Sequence, residues 1–274
     1  MILKISCEDQ KGLVHKITGV LYRYGLNVLQ NDEYVDKNLN RFYMRTAFNS
    51  KVNKDELMKE VKALLPEDAY CELLGSQPQK LVLMASKEYH CLSDIIVRAE
   101  SKDLNAEIQC VVSNHKVLLD FAEKFDIPYY YVDHKDITRE AHENKIIDII
   151  KQYSHDYIVL AKYMRVLTPN FIHTFNKKLI NIHHSFLPAF KGARPYQQAY
   201  ERGVKIIGAT AHFVNEDLDE GPIIEQDIVK VNHGYSAKEM ARFGKDVEKI
   251  VLARALNLVL EHRVFINGNK TIVF

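Results

Sequence analysis

The chain has 274 residues, long enough for one large domain or two smaller ones, and its 47% hydrophobic and 27% charged content is that of a globular protein able to bury a core. Lysine and arginine number 37 against 36 acidic residues, a net charge of +1, so no overall field draws the chain to nucleic acid or to an anionic membrane. The N-terminus MILKISCEDQKG is charged by its fourth residue, unlike a signal or transit peptide, and no run approaches the about 18 apolar residues of a membrane span. Cys7, Cys71, Cys91 and Cys110 are scattered through apolar segments without a C-x-x-C pair and read as reduced core thiols, so a soluble cytoplasmic protein is expected.

Taken in chain order, Ile2 to Cys7 is a short strand, and Glu8 to Gly12 is a turn into a helix carrying Leu13, Ile17, Val20, Leu21 and Tyr24 on one face. Gly25 closes that helix, as a residue tolerant of positive φ should. Asn27 to Tyr34 and Arg41 to Phe48 form a hairpin around Asp36-Lys37-Asn38, with Phe42, Met44 and Phe48 alternating in the second arm. A second helix carries Leu57, Val61 and Leu64, and Tyr70 to Leu74 is a last strand. The order βαββαβ predicts a ferredoxin-like sandwich. Gly75 to Lys80 has turn formers and no apolar residue, as a boundary would, which sets a first domain at residues 1–76 and a second at 80–274.

In the second domain, strands and helices alternate: LVLMAS, a helix through Leu92 to Ala99, EIQCVVS, a helix from Val117 to Phe125, PYYYV, a helix around Ile146 to Ile150, and YIVLA. Short continuous apolar strands separated by helices predict an α/β, Rossmann-like domain with a mostly parallel sheet covered on both faces. Ligands of such sheets bind beyond the carboxyl ends of the strands. After LINIH, the strands IIGATAHFV and PIIEQDIVKV follow closely enough to add antiparallel neighbours, and a long helix follows with Ser236 and Glu239 in capping-box spacing. RVFING and KTIVF complete the chain as a hairpin.

Two polar clusters interrupt these apolar runs, Asn181-Ile-His183-His184-Ser185 and His212 to Pro222. Acyl transfer or amide hydrolysis requires a donor for the developing oxyanion and a group that moves a proton to the leaving nitrogen. Asn181 supplies an amide N–H and His183 an imidazole, and residues two apart on a strand share a face. Asp219 is the carboxylate that would favour the imidazolium and orient a water. Spacing alone leaves alternatives: N-x-H at a strand end also serves as a satisfied turn, Glu216 to Glu220 as a solvated loop, and His183, His184 and His212 as zinc ligands, although no close-spaced Cys/His or H-E-x-x-H pattern supports a metal.

NIHHSFLPAFKGARPYQQAYERGVKIIGATAHFV followed by DLDEGPII resembles the folate-dependent formyltransferase fold over about Leu81 to Phe274, and DQKGLVHKITGVLYRYGLNVLQNDEYVD resembles an ACT regulatory domain. With LAKYMRVLTPNF and GKDVEK, the whole chain is similar to the formyltetrahydrofolate deformylase family. The resemblance implies hydrolysis of the linear amide C–N bond of 10-formyltetrahydrofolate to formate and tetrahydrofolate, supplying formate for purine biosynthesis and balancing one-carbon pools. It implies Asn181, His183 and Asp219 as the catalytic triad, and a folate slot lined by Met164, Arg165, Val166, Leu167, His212, Asn215, Glu216 and Asp217. Folate is then the substrate, with no further cofactor and no metal. For the ACT domain it implies amino-acid effectors, activation by methionine and inhibition by glycine, at Asp9, Gly12, Asn27 and Asn31, and an even-numbered homo-oligomer.

The alternative within the same fold is a folate-dependent formyltransferase acting on a small amine. Ribonucleotide transferases carry a glycine-rich phosphate turn after the first strand, whereas this chain has MASKEYHCLSD, where Lys87 and Tyr89 are expected to obstruct an amine acceptor. No basic second domain follows to hold a transfer RNA.

Overall fold

The computed structural model describes residues 1–49, 52–176, 178–189 and 194–274. It divides into two compact units: Met1–Gln77 with Glu261–Phe265 and Ile272–Phe274, and Pro78–Leu260 with Ile266–Thr271.

In the first unit β1 (Ile2–Glu8), α1 (Leu13–Arg23), β2 (Asn27–Asp36), β3 (Arg41–Asn49), α2 (Lys54–Ala63) and β4 (Tyr70–Leu74) reproduce the βαββαβ order read from the sequence. The sheet runs β2-β3-β1-β4, every pairing antiparallel. Leu3, Ile5, Phe42, Met44 and Phe48 point to one face and meet Leu13, Ile17, Leu21, Leu57 and Val61 of the two helices, which is why strand alternation and helical periodicity both show in this segment. The opposite face carries Lys4 and Arg45, and the carbonyls of the C-terminal segment satisfy them: Lys4 Nζ donates to Val264 O at 2.7 Å and Arg45 Nη2 to Glu261 O at 3.0 Å. Periodicity alone runs the second domain unbroken to Phe274, whereas these bonds and the Tyr43–Phe265 ring contact tie part of the C-terminal segment to the first unit.

The second unit contains β5 (Gln79–Ala85), α3 (Tyr89–Glu100), β6 (Ala106–Ser113), α4 (Leu119–Glu123), β7 (Tyr129–Tyr131), α5 (Arg139–Ile150), β8 (Tyr157–Leu160), α6 (Pro169–Thr174), β9 (Leu179–His183), α7 (Pro195–Arg202), β10 (Ile206–Phe213), β11 (Ile223–Lys230) and α8 (Ala237–Leu260). Its sheet has the order β11-β10-β9-β8-β5-β6-β7. The strands from β7 across to β9 are parallel, and β10 and β11 are antiparallel additions. The chain leaves β5 toward β6 and β7, then returns to β8 on the other side of β5, so a topological switch point lies between β5 and β8. The capping box at α8 forms as its spacing predicts, with Ser236 N donating to Glu239 Oε2 at 2.9 Å and Glu239 N to Ser236 Oγ at 3.3 Å. The short helices α6 and α7 were not legible in the sequence, because each presents only two buried side chains, too few to establish a period.

Candidate active site

The loop that follows β8 is held at the switch point by Ser86, the residue after β5. Ser86 N donates to Lys162 O at 3.2 Å, its Oγ accepts from Met164 N at 2.9 Å, and the same hydroxyl donates to Asn114 Oδ1 at 2.8 Å. Beside this loop lies a cavity of about 360 Å³, bordered by residues 162–167, by Asn181 to His184, and by His212 and Asn215 to Asp219.

Asn181 and His183 share a face of β9, and the antiparallel register sets His212 of β10 directly opposite Asn181. His212 is 2% exposed and its bonds define its tautomer. Nδ1–H donates to Phe213 O at 2.8 Å, so Nε2 accepts from Asn181 Nδ2 at 3.2 Å. Burial, outweighing the Phe213 bond and the charge of Asp219, holds the His212 pKa below its ordinary value and keeps the ring neutral in this role. Asn181 is therefore turned with one amide hydrogen on His212 and a second left for a ligand.

The loop after β10 brings Asp219 back over the same face, with its Oδ1 3.2 Å from His183 Nδ1. Asp219 adopts φ 58°, a left-handed conformation that aspartate tolerates better than most residues. Gly221 makes that return possible, since a Cβ there would lie 1.8 Å from Phe213 O. Burial pushes the Asp219 carboxyl upward, but the His183 bond and the neighbouring histidines outweigh it and hold its pKa below the aspartate norm. His183 is 4% exposed, and its Nε2 is buried without a hydrogen-bond partner among the described residues. A buried imidazole with one nitrogen anchored on a carboxylate and the other unspent in a cavity is built to exchange a proton with a ligand.

Every residue that the resemblance assigned to the folate slot borders this cavity: Met164, Arg165, Val166, Leu167, His212, Asn215, Glu216 and Asp217. Met164, Val166 and Leu218 are exposed apolar side chains at its rim, a surface suited to a flat ring. Asn215 Oδ1 and Tyr163 Oη are buried and unpartnered among the described residues, whereas Glu216 lies at the surface against His173 at 2.6 Å. Lys162, Tyr163 and His184 also line the cavity, and sequence reasoning gave none of them a place in it. Among the described residues, His183, His184 and His212 do not gather at metal-ligand spacing; His90, Cys91 and Glu248 do, within 4.8 Å of one another, but the Glu248 carboxylate is already paired with Lys162 at 3.2 Å.

Four residues named from the sequence lie away from the two cavities. Lys87 and Tyr89 do not border the cavity: Lys87 is at the surface, and the Tyr89 hydroxyl donates to Val117 O at 2.6 Å. In the first unit a second cavity of about 290 Å³ is bordered by Asp9, Gln10, Gly12, Glu33, Tyr34 and Phe42, but not by Asn27 or Asn31. The Asn31 amide is spent on Thr46 Oγ1 at 2.6 Å and on Glu33 at 2.9 Å, and Asn27 stands exposed at the start of β2. Phe190 to Ala193, part of the motif that carries the resemblance, lie outside the described residues.

An amide, an imidazole and a carboxylate border one cavity at the end of β9, the donor set that an acyl-transfer site of the formyl transferase class requires. The family model described as formyl transferase matches residues 79–256, and the ACT domain model matches residues 1–66. The chain is 52% identical over 272 residues to the formyltetrahydrofolate deformylase of Escherichia coli strain K12, covering 99% of this chain and 97% of the relative. Its identity to that of Bacillus subtilis is 42% over 279 residues, covering 99% and 93%. The crystal structure of a formyltetrahydrofolate deformylase from Pseudomonas syringae pv. tomato superposes with a TM-score of 0.95 at 41% identity, covering 100% of this chain and 93% of that one. A glycinamide ribonucleotide transformylase from Symbiobacterium toebii matches with a TM-score of 0.70 at 28% identity, covering 73% and 96%. The chain belongs to the formyltetrahydrofolate deformylase family, formyl transferase domains preceded by an ACT domain.

Proposed function

We propose that the chain hydrolyses 10-formyltetrahydrofolate to formate and tetrahydrofolate, releasing formate for purine synthesis. The observation that carries this reading is the convergence of Asn181, His183 and Asp219 on one cavity, with the His183 Nε2 left unspent. The folate ring occupies the slot along residues 164–167 under the apolar rim, and the formyl oxygen faces the free hydrogen of Asn181 Nδ2 and His183 Nε2–H. Asp219 holds the attacking water and takes its proton as the oxygen bonds to the formyl carbon. Asn181 and the His183 imidazolium stabilise the tetrahedral oxyanion, and the intermediate collapses when a proton reaches the leaving N10, from His183 or through water from Asp219. Formate should appear from 10-formyltetrahydrofolate in buffer alone. A requirement for an added amine would replace this reading with the transferase one.

The ACT unit supports regulation by amino acids, and we take the cavity at Asp9, Gln10 and Gly12 as the effector site, with methionine activating and glycine inhibiting in an even-numbered homo-oligomer. Isothermal titration should give saturable heats for both amino acids that are lost in Asp9→Ala. Flat titrations with both would leave the unit a purely structural role.

A further inference from the structure

The wall along which the folate ring is placed, residues 164–167, is irregular backbone between β8 and α6. Among the described residues, the backbone amides and carbonyls of Arg165, Val166 and Leu167 form no hydrogen bond with the protein. The course of this wall is therefore set at its two ends and by Leu167, whose side chain joins the core. At the near end the clamp is Ser86, which holds the Met164 amide.

At the far end the clamp is Glu143 of α5. Glu143 is 2% exposed, and no basic side chain pairs with it among the described residues. Burying a carboxylate without a counter-charge is costly unless hydrogen bonds replace its water. Here they all come from one residue: Thr168 N lies 3.0 Å from Oε1 and 3.2 Å from Oε2, and Thr168 Oγ1 donates to Oε2. The same hydroxyl caps α6, accepting from Phe171 N at 3.3 Å. Capping does not need the carboxylate. Thr138 caps α5 in the same way, accepting from Ala141 N at 3.1 Å, with no acid on its hydroxyl among the described residues. What Glu143 adds at Thr168 is a fixed position for the residue that follows the folate wall.

Resting on the deformylase reading, we propose that Glu143 is a positioning residue for the substrate, which fixes Thr168, and through it the 164–167 wall, in the course a flat ring requires before the ring arrives. Glu143 does not border the cavity, and its hydrogen bonds go to Thr168 and not to Asn181, His183 or Asp219. A wall without this clamp must be ordered by the ligand, with loss of affinity, while the groups that act on the formyl carbon keep their places. The loss therefore falls on KM and leaves kcat.

Glu143→Gln, which keeps the shape and one acceptor oxygen, should raise KM for 10-formyltetrahydrofolate about tenfold with kcat within about twofold of wild type. Anaerobic calorimetric titration with tetrahydrofolate, the product, should show the same loss in Kd without any catalytic step. Thr168→Val, which removes the hydroxyl and leaves Glu143 in place, should reproduce the loss, and Thr168→Ser should keep both constants at wild-type values. The double variant Glu143→Gln/Thr168→Val should lose less than the two single losses combined, since both act through one contact. If Glu143→Gln does not fold, the two Thr168 variants decide. A merely structural Glu143 would lower the melting temperature and the active fraction, read as a fall in kcat with KM and Kd unchanged. That result, or wild-type KM and Kd in Glu143→Gln and Thr168→Val, overturns this inference, and formate release by wild type leaves the deformylase reading standing. If wild type neither releases formate nor binds tetrahydrofolate, both are overturned.

Discussion

Asp219→Asn should lower kcat about 10³- to 10⁴-fold with KM little changed, the scale on which an imidazole loses its carboxylate partner in comparable triads. Asparagine also tolerates the left-handed backbone of this position, φ 58°, so the loss should come without unfolding. The bond from His183 Nδ1 at 3.2 Å would then run to an amide, which no longer favours the imidazolium and cannot take a proton from water. Asn181→Ala, removing one oxyanion donor, should cost about 10²- to 10³-fold in turnover. Since the His183 bond and neighbouring histidines hold Asp219 below its ordinary pKa of 3.8 despite burial, the carboxylate persists through mild acid. Any limb of the pH–rate profile belonging to Asp219 therefore lies below that value. Steady-state kinetics decide the assignment, and near-wild-type turnover in Asp219→Asn would refute it.

Glu248→Ala should destabilise the protein by about 3–5 kcal/mol, because it leaves the Lys162 ammonium buried without a counter-charge and strands the Tyr196 hydroxyl and the His90 ring. Burial opposes the ionised carboxylate, but the His90 bond, the Lys162 charge and the Tyr196 bond outweigh burial and bring its pKa from 4.5 down to about 2. The sign follows from linkage. The unfolded carboxylate protonates near 4.5 and the folded one only near 2, so the folded state gains stability above 4.5 that is lost as pH falls between those values. A shift of this size corresponds to about 3 kcal/mol. Urea unfolding across that acid window should show the loss in wild type and a flatter dependence in Glu248→Gln. Equal slopes in the two proteins would mean that Glu248 does not carry the ionic linkage assigned to it.

Much of this protein is legible in its sequence. Alternation in β3 and helical spacing in α1 and α2 each report one buried face, which fixed the βαββαβ order of the first unit. Continuous apolar runs in β5, β6 and β8 reported strands buried on both sides, and so a parallel sheet. Asn181 and His183 were visible because polar groups two apart at the end of an apolar strand share a face, and Asp219 because a carboxylate beside Gly221-Pro222 sits between two such strands. Periodicity, however, records which side of an element is buried and not what lies across from it.

Asn31 illustrates this: its amide meets Thr46 across the β2–β3 pairing, while the cavity of the first unit is bordered by Asp9, Gln10 and Gly12. Lys87 and Tyr89, expected beside an acceptor from their chain position, lie exposed on the turn and helix start after β5 and do not border the folate cavity. Lys162 lies in the LAKYMRVLTPNF motif but showed no role there, since a lysine between apolar runs reads as an exposed loop residue; its partner Glu248 is 86 positions away, and only packing of α8 against the sheet brings them together. The sequence by itself determined the elements, their order and the three polar groups of the reaction, because these are set by local periodicity and residue chemistry. The tertiary structure alone decided the register that turns Asn181 onto His212, the return of Asp219 past Gly221, and the buried pairing of Lys162 with Glu248, because each depends on contacts between segments that no local pattern encodes.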